Sequence, residues 1–271
     1  MSKVRNPSVA GMFYPAQKEK LNEEIDLLLK IGKSEHTYEN IFGIIVPHAG
    51  YIYSGKTAAA AYNVISGKEY KKVVVISPSH REYFKGISIY EGEFYRTPLG
   101  DVKIDKRLSK ELVEKSALIF FGKAGHGAEH ALEVQIPFLQ KALKNFELIP
   151  IVMGDQSRKY VDALGKALAE VHDDETLIVV SSDLSHFYSR EQAEELDSRF
   201  QKNIENMDYE ELQTDLERKN CEACGGGGIA ALLKAAQIRN RENVSILSRT
   251  DSGDVTGDTS EVVGYLSAVI Y

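Results

Sequence analysis

The chain has 271 residues, 43% hydrophobic and 27% charged, with 33 Lys plus Arg against 40 Asp plus Glu and a formal net charge of −7. These proportions exclude a disordered chain and suit one large domain or two small ones. The acidic balance argues against a nucleic-acid surface, no apolar run of about 18 residues offers a membrane span, and two cysteines cannot build a disulfide framework.

The opening residues lack the apolar segment of a signal peptide, so a cytoplasmic protein is expected. There is no internal repeat or Pro/Ser-rich linker, which predicts a single domain over 1–271. In chain order, Leu21, Ile25, Leu28 and Leu29 predict a helix over 18–30. A strand at 42–46 and an Ala-rich helix over 55–64 follow, then strands at 72–77, 86–90 and 117–121. A helix is predicted over 129–143 with Pro137 inside it, then a strand at 148–152, a helix over 160–171 and a strand at 176–181. Helices over 191–206 and 229–237 and strands at 245–250 and 262–270 complete the pattern. The runs Ile44–Val46, 73–76 and 177–180 are apolar at successive residues, so both faces of those strands are covered. The alternation predicts an α/β sandwich around a mostly parallel or mixed central sheet.

Three of the seven histidines fall just past a buried strand: His48, His80 and His186. In open α/β sheets ligands bind outside the strand C-termini, so parallel neighbours would bring these rings together. Neutral imidazole is the commonest metal ligand, and two such rings need one more donor. Cys224 is the candidate. It precedes the glycines at 225–228 and a helix, where amides would favour a thiolate; a thiolate suits iron, copper(I) or zinc over magnesium or calcium. The same turn could instead cradle an anion, or be a plain turn with Cys224 in the core. Asp183 either orients an imidazole or caps the next helix. His130 and Glu133 could face the cleft, Tyr51 could line it or pack inside, and Ser252 and Asp254 sit in a Gly/Asp turn that could form its wall.

These residues resemble the Memo family, called AmmeMemoRadiSam system protein B in archaea and bacteria. The likeness spans the segments at 7–15, 46–51, 77–80, 129–139, 181–186, 223–225, 252–254 and 262–265. It implies a fold similar to class III extradiol dioxygenases and a redox metal, iron(II) or copper(I), held by His48, His80 and Cys224. It also implies an acid–base role for His186 with Asp183 beside it. Ser79 stands where many relatives have Asn, and the four glycines replace a segment with Pro and Ile, implying a looser loop at Cys224. Three functions are expected in order: a non-haem metal-dependent, dioxygenase-like oxidoreductase; a non-catalytic metal-sequestering or phospho-ligand or peptide-binding protein; and a zinc hydrolase. A small-molecule or anionic ligand is the expected partner, and the sequence carries no evidence on oligomeric state.

Overall fold

The computed structural model describes residues 3–32 and 36–271. In chain order the elements are β1 (Val4–Arg5), α1 (Lys18–Ile31), β2 (Gly43–Val46), α2 (Tyr51–Ile65), β3 (Lys72–Pro78), β4 (Ile87–Tyr90) and β5 (Phe94–Thr97). Next come β6 (Gly100–Lys103), α3 (Lys106–Lys115), β7 (Ile119–Gly122), α4 (Gln135–Ala142), β8 (Glu147–Met153), α5 (Arg158–Val171) and β9 (Thr176–Ser181). The chain continues with β10 (His186–Tyr188), α6 (Arg190–Glu205), α7 (Tyr209–Arg218), α8 (Gly226–Ile238), β11 (Val244–Asp251), α9 (Gly253–Thr256) and β12 (Val262–Ile270).

One mixed sheet has the order β10-β12-β2-β9-β3-β8-β4-β7, with β11 paired to β12 beside that path. Its centre, β2-β9-β3-β8, is parallel throughout. Strand β12 joins β2 antiparallel, and β4 joins β8 antiparallel. Alternate residues of each central strand feed two separate cores. Ile44, Val46, Val73, Val75, Leu177 and Val179 pack on one face under α1, α2 and α4; Ile45, Val74, Ile76, Ile178 and Val180 pack on the other under α3, α5, α6, α7 and α8. This double burial is why these strands read as continuous apolar runs. A small sheet, β1-β5-β6, lies apart. Among the described residues no helix is long and apolar enough to cross a membrane.

The main correction to the predicted elements is at 129–143. Only Gln135–Ala142 is helical there. Upstream, the Glu129 carboxylate accepts the N–H groups of His130 and Ala131, which turns the chain before the helix can begin. Pro137 then lies in the first turn of α4, where its missing N–H removes no helical bond.

Candidate metal centre

The parallel register aligns Val46 with Ser181 and Ile76 with Val180, so the chain leaves β2, β9 and β3 at one sheet edge. His48 is buried there. Asp183, also buried, fixes the His48 loop: its Oδ1 accepts the N–H of His48 at 2.7 Å and of Ala49 at 3.3 Å. Burial, then the nearby His80 and His130 rings, push the His48 pKa well below its ordinary value, so the ring is neutral.

His80 occupies the matching place after β3. Its Nδ1–H donates to Glu129 Oε1 at 2.9 Å. Burial raises the Glu129 pKa, but hydrogen bonds from the His80 ring and from backbone N–H groups outweigh it and hold the carboxyl at about 2. Glu129 therefore stays ionised and leaves Nε2 of His80 free, the arrangement by which carboxylates orient metal-binding imidazoles.

Cys224 closes the group. Its Sγ lies 3.2 Å from His48 Nε2, and one donor each from His48, His80 and Cys224 all fall within 4.8 Å of one another. A tetrahedral ion with Zn-like bond lengths separates its sulfur and nitrogen ligands by about 3.5 Å, so the donor set fits a single ion. The glycine turn is not loose. A Cβ on Gly225 would stand 2.4 Å from Ser181 O, and one on Gly227 would stand 2.6 Å from the Gln156 side chain. Gln156 staples this turn, donating to Cys224 O at 2.7 Å and accepting from Gly227 N–H at 2.8 Å. Gly225 N–H is taken by Ser182 Oγ and Gly226 N–H by Ala223 O. An anion cradle needs free amides, and those of Gly225, Gly226 and Gly227 are already hydrogen-bonded.

The expected acidic thiol is also corrected. Burial, then the Asp183 carboxylate, push the Cys224 thiol upward, and the Asp183 N–H and Ser182 hydroxyl offset this only in part. Without a metal the sulfur is a thiol; a coordinating cation would deprotonate it.

A family model for Memo-like protein matches residues 5–269. The chain belongs to the Memo family. A MEMO1 family protein of Nitrosopumilus maritimus is 37% identical, with 97% of this chain and 98% of that protein covered. A MEMO1 family protein of Thermoplasma acidophilum is 39% identical over 98% of each chain, and one of Aquifex aeolicus 38% identical over 98% of this chain and 99% of its own. Among solved structures, uncharacterized protein JW3007 from Escherichia coli K12 shares the fold at a TM-score of 0.58 and 16% identity, covering 85% of this chain and 100% of its own.

Around this Memo-family cluster the remaining sequence candidates separate. The His130 ring centroid is 4.8 Å from that of His80 and 5.4 Å from that of His48, so three imidazoles meet. His186 opens β10, close enough for its charge to act on His48 and Asp183. Asp183 does not cap α6; Ser189 does. Tyr51 packs in the interior, its hydroxyl donating to Val134 O at 2.8 Å, because α2 starts at that residue and turns the ring inward. Glu133 is also interior rather than at the cleft. Its carboxylate meets Arg5, the N–H groups of Ser8 and Val9, and the Tyr14 hydroxyl. Ser252 Oγ accepts Val263 N–H, and Asp254 pairs with Arg190, so both brace the β11–β12 turn. Glu129, Ser181, Gln135 and Gln156 carry no recognisable functional signal of their own in the sequence. The only signal for Glu129 was its place beside His130 in the shared family segment.

Proposed function

We propose that this chain holds a redox metal, iron(II) or copper(I), on His48 Nε2, His80 Nε2 and Cys224 Sγ, as the centre of an oxidoreductase acting on a small molecule. The observation that carries the reading is the meeting of two imidazoles and one sulfur within 4.8 Å, from loops distant in sequence. A thiolate with imidazoles selects iron, copper(I) or zinc over hard cations. When bound, iron or copper supplies one-electron chemistry and the coordination positions that three donors leave open. The protein does the rest. Glu129 aims His80, Asp183 holds the His48 loop, and His186 is the ring to take or give a proton beside the cluster.

Anaerobic titration with iron(II), copper(I) and zinc tests the site. Cys224→Ser and His48→Ala should each lose more affinity than the roughly 10–100-fold that removing an outer-shell partner costs. Unchanged affinity in both variants, with circular dichroism showing them folded, overturns the ligand assignment. Elemental analysis of protein purified from its own host separates zinc from iron and copper. Dioxygen uptake with catechol-like substrates supports an oxidoreductase, and tight binding without uptake turns the reading to metal sequestration.

A further inference from the structure

The buried amide of Gln135 has a role that hydrogen counting reveals. Its Nε2 lies 2.9 Å from Pro47 O and 2.7 Å from Ser181 Oγ, while its Oε1 accepts the Tyr62 hydroxyl at 2.7 Å. Pro47 O is only an acceptor, so the nitrogen must face it, and the amide has one orientation. Both amide hydrogens are then spent, one on Pro47 O and one on Ser181 Oγ. Ser181 Oγ also lies 2.7 Å from Ala131 O, another pure acceptor, so the single hydroxyl hydrogen goes there. One lone pair of Ser181 Oγ takes the Gln135 N–H. The other faces His48 Nδ1 at 2.8 Å, and only a protonated Nδ1 can satisfy it.

We infer that Gln135, acting through Ser181, is a positioning residue that locks His48 as the Nδ1–H tautomer and so leaves Nε2 bare toward Cys224. This deepens the metal reading, since the nitrogen that faces Sγ is then the one with a lone pair to offer. The tautomer itself is a property of the metal-free protein. The buried donors and acceptors of this relay are all matched, and reversing the His48 tautomer would leave Nδ1 and Ser181 Oγ facing each other with no hydrogen between them.

The test uses the full chain, metal-free and labelled with 15N-histidine, read by two-bond proton–nitrogen correlation spectra; His48→Ala identifies the signals of His48. The expected result is a pyrrole-type Nδ1 and a pyridine-type Nε2. An Nε2–H ring in the wild-type protein overturns the inference with no variant needed. Gln135→Met and Ser181→Ala should move His48 toward mixed tautomers, and Ser181→Thr, which keeps the hydroxyl, should restore the wild-type pattern. Zinc affinity should fall roughly 10–100-fold in Ser181→Ala, as for a lost outer-shell partner. Spectra unchanged in both Gln135→Met and Ser181→Ala overturn the relay. The expected tautomer together with no metal binding by the wild-type protein sustains the relay and removes the metal reading, so the two fail separately.

Discussion

Replacing Glu133 by Gln is the sharpest test of how the site is supported. The Arg5–Glu133 pair is buried, with side-chain exposures of 5% and 0%. Each carboxylate oxygen serves two donors: Oε2 takes Arg5 and Ser8 N–H, and Oε1 takes Val9 N–H and the Tyr14 hydroxyl. Gln keeps the shape but has one oxygen, so its NH₂ faces two donors whichever way it turns. The Arg5 charge also loses its partner. Breaking a buried pair in this way costs about 3–5 kcal/mol. At roughly 2–4 °C per kcal/mol for a chain of this size, Tm should fall by about 6–20 °C. Arg5 also donates to His126 O, Gly127 O and Glu129 O, so the loosened segment carries Glu129 and His130, and metal affinity should weaken modestly as well. Differential scanning calorimetry reads the first effect. The double variant Arg5→Met/Glu133→Leu should recover most of the loss, because an apolar pair leaves no charge stranded. A Glu133→Gln protein melting within about 2 °C of wild type would refute the reasoning, since a buried pair of this kind cannot be that cheap to break.

Two further outcomes follow from the packing around the same loops. Burial, partly offset by Ser185, pushes the Asp197 carboxyl up to about 6. Its folded pKa thus lies above the unfolded value, so its contribution is fully present below about pH 4 and is lost as pH rises through 6. Asp197→Asn keeps the Ser185 N–H bond and should stabilise by up to about 2–3 kcal/mol at pH 8 but little near pH 4, read by urea unfolding at both; an equal effect at both pH values refutes it. Gly225→Ala should cost about 1–3 kcal/mol from overpacking and weaken metal binding by displacing Cys224, whereas Gly127→Ala, with nothing within 4 Å of the added carbon, should do neither. Equal melting temperatures for the two variants would show that the glycine turn has room to spare.

The central strands were legible because double burial leaves an unmistakable apolar run, and parallel order then dictated that His48 and His80 emerge at one edge. The elements that escaped prediction are the polar ones. Helix α3 carries only Leu108, Ser109 and Leu112 as buried residues, too thin a stripe to stand out, and the β5–β6 hairpin has just two buried side chains per strand at most. Cys224 was legible as a donor, but its thiol chemistry was not, because local amides predict an acidic thiol while burial and Asp183, distant in sequence, decide the opposite. For Tyr51 and Glu133 the sequence left the cleft open as one of two placements, because a polar residue beside a motif suits either until its partners, here Val134 O and Arg5, are known.

Two buried carboxylates, Glu129 and Asp183, adjoin the cluster and a third, Glu133, lies in the interior; each is already committed. Glu129 aims the His80 ring, Asp183 holds the backbone at 48–49, and Glu133 anchors the N-terminal segment. None has the freedom to serve as a mobile base, because releasing any one would strand the N–H groups it accepts. Under the proposed function, proton transfer near the cluster would therefore fall to an imidazole. His48 and His80 have their Nδ1 atoms tied to Ser181 and Glu129. His130 is held differently: among the described residues its Nδ1 makes no well-aligned hydrogen bond but lies 3.3 Å from Glu129 Oε1, and its ring lies against both His80 and Phe13. The carboxylates and Ser181 thus hold the His48 and His80 rings in place, and under the proposed function the proton carrier beside them is His186.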